Sequence, residues 1–300
     1  MADEPHRPVL LDEVSDILQP STNGIYLDCT VGAGGHAQRI LALSQPGGRL
    51  IGLDRDPVAL AIAGRTLEHF GDRVILEHAN FTDAGRILAE QHVDAVNGIL
   101  FDLGLSSIQL DSPDRGFSFR YPDAPLDMRA DPSRGPTAAQ LIAHVPEREL
   151  ADILWQLADE RRSRRIARAV CAERRRTPIK TVGQLLAVIA RAMGPHRRQR
   201  IHPATRSMQA IRMWTNAELP NLKAALLAAK DLLVPGGSLC TISFHSAEDR
   251  VAKNVLRDQA REGVWDVLTR RPMRPTEAEV RSNPRARSAK LRAARRKDVM

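Results

Sequence analysis

The sequence predicts an α/β protein: a mostly parallel sheet with helices on both faces, interrupted by one helical insertion. Three observations carry that reading. Between residues 25 and 102, short apolar runs alternate with segments of helical spacing, and three of the four runs close on an acid (Asp28, Asp54 and Asp102). Strands and helices at this rhythm pair as parallel crossovers. The rhythm then stops: residues 137–212 show only helical patterns separated by prolines. It resumes with a helix and an apolar run between Ala217 and Phe244.

Taken in order, Pro8 to Leu18 within the stretch His6–Gln19 has apolar residues at helical intervals. Ile25–Cys29 is the first strand. It runs into Thr30-Val31-Gly32-Ala33-Gly34-Gly35-His36-Ala37 and then a helix-like pattern. Glycines at such a turn reach backbone angles closed to other residues and let the main chain approach a ligand. Free N–H groups at the following helix start favour a polar or anionic ligand. Arg49–Asp54 is the second strand, after the turn Pro46-Gly47-Gly48. Asp56-Pro57 opens a helix to about Phe70, with Asp as cap and Pro in the first turn. Arg73–Glu77 is the third strand, a helix follows around Asp83–Gln91, and Val93–Asp102 is the fourth strand. Residues 103–135 read as a long Gly-, Ser-, Asp- and Pro-rich loop, which in a compact domain is functional or disordered. Helices are expected over Thr137–His144, Glu147–Arg176 and Thr181–Ala192, then Ala217–Leu233 ahead of a strand over Ser238–Phe244. The expected organisation is a first catalytic-domain part at 1–109, a helical recognition insertion at 110–212, a second part at 213–269 and a basic, mobile tail at 270–300.

Composition narrows the function. The chain has 300 residues, 43% apolar, enough to fill a core. It has no apolar run of membrane-spanning length and no signal-peptide pattern, so a cytosolic protein is expected. Cys29, Cys171 and Cys240 are odd in number and far apart, which fits neither a disulfide framework nor a zinc site. The net charge of +8 is concentrated. Residues 161–212 hold 15 Lys and Arg against Glu173 alone, and residues 270–297 hold 11 against Glu277 and Glu279. The remainder of the chain is acidic, so the positive field belongs to two segments and points to a polyanion, RNA foremost. Aromatics are only 4%, which argues against binding by a row of stacked rings.

The strand ends hold the chemistry. In open parallel sheets ligands bind at the carboxyl ends of the strands near the switch point. Gly32, Gly34 and Gly35 follow the first strand, Asp54 ends the second, Asn80-Phe81 follows the third and Asp102 ends the fourth. A carboxylate at the second strand suits a ribose diol, an apolar residue after the third suits an adenine, and a polar group at the fourth faces the reacting group. Gly32-x-Gly34-x-x-Ala37 also fits a dinucleotide fingerprint, so S-adenosylmethionine and NAD both remain open at this point. The loop after Asp102, with Ser106, Ser107 and Gln109, offers short amide and hydroxyl groups suited to a planar amine rather than to hydride transfer.

Several stretches in series then resemble one family: His6-x-Pro8-Val9-Leu10-Leu11, Gly32-x-Gly34-Gly35-His36, Leu53-Asp54-Arg55-Asp56-Pro57, Phe101-Asp102-Leu103-Gly104-x-Ser106-Ser107-x-Gln109-Leu110-Asp111, Arg115-Gly116-Phe117-Ser118-Phe119, Pro125-Leu126-Asp127-Met128-Arg129, Ile201-His202-Pro203-Ala204-Thr205-Arg206 and Ile242-Ser243-Phe244-His245-Ser246-x-Glu248-Asp249-Arg250. They resemble the ribosomal RNA small subunit methyltransferase H family. The resemblance implies a Rossmann-like class I methyltransferase with a helical insertion. It implies methyl transfer from S-adenosyl-L-methionine to N4 of a cytidine in the decoding region of bacterial 16S rRNA, within a small subunit or assembly intermediate. It places cofactor contacts on Gly34, Gly35, His36, Asp54, Phe81, Asp102 and Gln109. Cys29 and Val31 depart mildly from the usual residues, and the tail carries no family motif.

Amino-methyl transfer needs an acceptor that frees the exocyclic lone pair and takes the proton. Asp102, with groups of Leu103–Ser107 including Ser106 and Ser107, is the candidate, and a purely cofactor-contacting role for Asp102 stays open. Ring-carbon methylation needs a cysteine nucleophile, and the three cysteines read as structural. No Gly-x-Ser-x-Gly elbow surrounds Ser106-Ser107, which removes a hydrolase reading. His36 reads as loop-shaping and cofactor-facing rather than as a base. Arg161, Arg162, Arg164, Arg165 and Arg168, followed by Arg197, Arg198, Arg200 and Arg206, are candidate phosphate contacts, and His202 and His245 candidate RNA contacts. No metal is called for. Two other readings stand beside this one: an NAD-dependent oxidoreductase, and a non-catalytic ribosome-assembly factor with a relic nucleotide site.

Overall fold

The structure, a computed structural model, describes residues 8–194 and 202–298. Met1–Gly104 together with Leu219–Met300 form one compact unit, and Leu105–Glu218 form a second.

The first unit opens with α1 (Leu11–Leu18), β1 (Ile25–Asp28), α2 (Gly35–Leu43), β2 (Arg49–Asp54), α3 (Pro57–Leu67), β3 (Val74–His78), α4 (Ala84–Glu90) and β4 (Val96–Asp102). α3 starts as its sequence dictates: the Asp56 carboxylate accepts the Val58 N–H at 3.1 Å and Pro57 occupies the first turn. β4 begins three residues later than expected, because a turn with His92 at φ 55° precedes it.

The second unit is helical: α5 (Ser107–Asp111), α6 (Ala138–His144), α7 (Glu147–Ala158), α8 (Ser163–Arg174), α9 (Val182–Met193) and α10 (Thr205–Thr215). Thr137 and Thr181 start α6 and α9 with reciprocal capping boxes to Gln140 and Gln184. The single helix expected over Glu147–Arg176 is two. Asp159 turns left-handed at φ 51°, and the buried Glu160 carboxylate accepts the Arg162 N–H at 3.0 Å, so the chain reverses there. The core is aliphatic: Leu150, Leu154, Ile166, Val170, Leu185 and Ile189 are sequestered between α7, α8 and α9. The Arg115–Arg129 stretch is scaffold. Buried Arg115 donates to the carbonyls of Arg129 and Ala130, and Arg129 grips Asp127 with two guanidinium nitrogens at 2.8 and 2.7 Å.

The chain returns with α11 (Glu218–Leu232), β5 (Leu233–Ser243), α12 (Ser246–Arg261), β6 (Trp265–Val267), α13 (Glu277–Ser282) and β7 (Lys290–Arg296). Among the described residues the sheet has seven strands in the order β3-β2-β1-β4-β5-β7-β6. β1 to β5 pair in parallel, while β7 is antiparallel to both β5 and β6. The order reverses between β1 and β4, which puts the ligand crevice at their carboxyl ends.

The mobile tail is corrected by this sheet. Residues 290–296 fill the gap between β5 and β6, with Leu291, Ala293 and Ala294 fully buried. The alternation of basic and small residues concealed a strand whose apolar positions are mostly alanines, a weak period-two signal. Its cations are committed inside the unit. Arg292 and Lys290 reach Asp249 of α12 at 2.6 and 3.2 Å, Lys297 lies 3.3 Å from Asp266, and Arg296 donates to the Leu233 carbonyl.

Candidate functional site

The carboxyl ends of β1, β2 and β4 bring together the glycine turn and three carboxylates. After β1 the chain turns through Gly32 at φ 54° and Gly34 at φ 89°, backbone that side chains rarely adopt. A Cβ on Gly35 would stand 2.4 Å from Pro8 Cγ, so no larger residue fits at the first position of α2. The turn is held open from below: Gly34 N–H donates to Val31 O at 2.8 Å, and Gly32 N–H donates to Asp54 Oδ2 at 2.9 Å. The second Asp54 oxygen accepts the Asp56 N–H at 2.9 Å. Each oxygen thus takes one backbone donor and keeps capacity for another, which a ribose diol would use. Burial pushes the Asp54 carboxyl up, against these two N–H groups, which pull it down.

Phe81, after β3, opens a short helical turn capped by Asn80, whose Oδ1 accepts Thr82 N–H at 3.1 Å. Its ring is buried edge-on to Phe101 at 5.6 Å. Asp102 ends β4, with its N–H donated to Thr30 Oγ1 at 2.6 Å. Its Oδ2 lies 3.5 Å from His36 Nε2, and its Oδ1 has no hydrogen-bond partner.

Two residues of this site went unassigned in the sequence. Asp28 ends β1, is 1% exposed, and accepts the Thr30 N–H at 3.0 Å. Burial raises its carboxyl to about 7, with His36 pulling it down and Asp102 and Asp54 pushing it up. Thr30 links the Asp28 carboxylate to the Asp102 backbone. An acid closing a buried strand just before a glycine turn was the available signal.

The remaining predicted residues divide by unit. Ser106, Ser107 and Gln109 belong to the helical unit. There Ser106 Oγ accepts Gln109 N–H at 3.2 Å and Gln109 Oε1 accepts Ser106 N–H at 3.3 Å, a capping box that starts α5. Gln109 is buried. Arg162 donates to the Met193 carbonyl and Arg206 to the Asp159 carbonyl at 3.2 Å, so both tie helices together. Arg165 is exposed and makes no ion pair among the described residues. His202 rests its ring on Phe119, centroids 4.7 Å apart, and accepts Ala204 N–H through Nδ1. In the sheet unit, His245 caps α12 by accepting Glu248 N–H through Nδ1 at 3.4 Å, and its Nε2 lies 3.0 Å from Glu248 Oε1. Arg197, Arg198 and Arg200 lie outside the described residues, as do His6 and Ile201.

A sheet of order 3-2-1-4-5-7-6 with an antiparallel seventh strand and a glycine turn after the first defines a class I methyltransferase fold. The comparisons give the family. A model described as the MraW methylase family matches residues 3–297. A protein of Sorangium cellulosum named "Ribosomal RNA small subunit methyltransferase H" is 48% identical over 98% of this chain and 91% of its own length. One of the same name from Syntrophotalea carbinolica is 46% identical over 97% of this chain and 98% of its own. The crystal structure of an rRNA methylase from Streptococcus thermophilus aligns over 99% of both chains at 11% identity, with a TM-score of 0.46. The strand order, not this distant likeness, defines the fold. The chain belongs to the MraW methylase family, and it is an S-adenosyl-L-methionine-dependent methyltransferase. The nicotinamide and relic-site readings fall with that membership.

The residues at the strand ends fit this cofactor. The turn admits close main-chain approach, the helix start of α2 presents N–H groups without intrahelical partners, and Asp102 keeps a buried oxygen without a hydrogen-bond partner. Among the described residues no helix is long and apolar enough to cross a membrane.

Proposed function

We propose that this protein methylates the exocyclic N4 of a cytidine in the decoding region of bacterial 16S rRNA, within a small subunit or an assembly intermediate. The names of its relatives and the serial motif resemblance support the RNA and the position. One observation supports the amine chemistry: Asp102, at the switch point, holds a carboxylate with an unpartnered oxygen beside the glycine turn.

The cofactor supplies an electrophilic methyl group on a sulfonium. Gly34, Gly35 and His36 through the main chain of the turn, with Asp54, Phe81 and Asp102, hold it in this reading. The cytosine amine is a poor nucleophile because its lone pair is delocalised into the ring. Asp102 accepts a hydrogen bond from that amine, localises the lone pair and takes the proton as the N–C bond forms. The alternative target, C5 of the ring, would need a thiolate. All three cysteines are buried, and burial pushes each thiol up, Cys29 and Cys240 far above the usual range. Arg165 and its exposed neighbours on α8 take RNA phosphate, and a target base splayed from local structure supplies selectivity.

Mass spectrometry of 16S rRNA nucleosides from cells with and without the protein tests this. N4-methylated cytidine should disappear in its absence and return with the wild-type chain, but not with Asp102→Asn. Identical nucleoside profiles with and without the protein would remove the reading.

A further inference from the structure

His36 is the second residue of α2 and its ring is 6% exposed. Both ring nitrogens are buried without a hydrogen-bond partner. A buried polar atom left unpaired is costly, and such atoms in native proteins call for a reason. Packing gives none, since an apolar ring would fill the same space. The position is also poor for a cation, because the start of a helix carries positive partial charge.

The surroundings supply the reason. Nε2 lies 3.5 Å from Asp102 Oδ2, just beyond hydrogen-bond length. Three carboxylates converge here from β1, β2 and β4: Asp28, Asp54 and Asp102. Asp54 has a backbone N–H on each oxygen, and Asp28 has the Thr30 N–H. For Asp102 the Thr30 hydroxyl takes only the main-chain N–H, so its carboxylate is held by His36 alone among the contacts described. Thr30 fixes the Asp102 backbone, and His36 is placed to fix the side chain.

We propose that His36 is a positioning residue for the reaction, donating its Nε2–H to Asp102 and holding that carboxylate aimed at the substrate amine. The inference rests on the amine-methylation reading above. In the step, the N–C bond forms and the S–C bond breaks with its electron pair left on sulfur. The amine proton passes to Asp102 and from there to water. The main-chain N–H groups of the turn serve the cofactor, which leaves the imidazole for Asp102. Burial lifts Asp28 to about 7, and His36 opposes that lift.

The test uses the full chain with small subunits lacking the modification, single-turnover methyl transfer, and a pH series. His36→Phe keeps ring volume and removes the donor. Losing the donor leaves the carboxylate free to turn away from the amine, so the single-turnover rate should fall about 10- to 100-fold across the pH series, while the subunit concentration that half-saturates it changes far less. Cofactor affinity by calorimetry should change far less than the rate. His36→Gln, which returns an amide donor, should restore part of the rate. Should the Phe variant not fold, His36→Asn, too short to bridge the gap, is read the same way. A normal rate in the Phe variant, or a loss that the Gln variant does not recover in part, overturns the proposal. Wild-type enzyme inert on the subunit at every pH overturns the underlying function reading instead.

Discussion

Two segments of this chain look alike by charge and do opposite things. Residues 161–176 and 285–297 are both dense in arginine. In the first, α8 and the residue that caps it leave Arg164, Arg165, Arg168 and Arg175 exposed, Arg168 within 3.7 Å of Glu147, over about 16 Å at 1.5 Å per residue. Arg164 and Arg165 sit in the first turn without an acid, where the helix dipole opposes them, and Arg164 and Arg168 repel at i,i+4. Helix stability does not account for that arrangement, which suits the RNA contact proposed above. In the second segment, β7 buries Arg292 against Asp249 and directs Lys290, Arg296 and Lys297 to partners in its own unit. Local charge density therefore says little about presentation. What decides is whether the neighbouring positions are apolar enough to draw the segment into a core.

The sharpest way to break the comparison is to remove β7. A chain ending before Lys290 would leave β5 and β6 without their shared partner and expose Leu291's site in the core. The expected outcome is no cooperative melt by circular dichroism and insoluble protein. A truncated chain that melts like the full one would return the segment to the status of an appendage.

Arg292→Leu is the next largest effect. It leaves Asp249, 14% exposed, with Lys290 alone. Breaking a buried pair by deleting one partner costs about 3–5 kcal/mol, and the remaining lysine should hold the loss to about 2–3. Urea denaturation at neutral pH reads this directly. The pH dependence gives a second signature. Burial pushes Asp249 up, but Arg292 and then Lys290 more than offset it, so its carboxyl sits below the usual range. A depressed carboxyl contributes stability above its unfolded pKa that is lost as pH falls through the folded one. Wild type should lose this contribution in acid below about pH 4, and the variant, already without most of it, should show a flatter acid limb.

The same contrast explains what the sequence could show. Strand and helix order in the sheet unit was legible because apolar runs, acids and glycines punctuate it, and the glycine turn with Asp54 and Asp102 was legible because each sits at the end of such a run. Asp28 was harder: it closes a strand just before the glycine turn, but that pattern does not separate a fully buried acid from one that faces a ligand. β7 was illegible because alanine gives little hydrophobic period. The roles of Arg162, Arg206, His202 and His245 were hidden for another reason. Each contacts a carbonyl, a ring or an N–H whose position depends on tertiary structure or cap geometry. Residue type alone does not separate an arginine that ties helices from one that faces water.

That last distinction can be sharpened within the helical unit, where stability effects should be smallest. Arg164→Glu with Arg165→Glu alters exposed side chains without partners among the described residues, so the melting point should stay within about a degree or two, and relief of i,i+4 repulsion could even raise it. Arg206→Met removes a hydrogen bond to the Asp159 carbonyl and should cost about 0.5–1.5 kcal/mol. Binding to small subunits or rRNA fragments across a salt series should order the two the other way. The double reversal should weaken binding at least tenfold near 50 mM salt and lower the salt slope by about two, one for each phosphate contact removed. The Arg206 variant should leave the slope unchanged, because its guanidinium already serves a carbonyl. An equal loss of slope in both variants would mean that protein-bound and solvent-facing arginines meet RNA alike, and the difference between the two basic segments would then concern folding and not recognition.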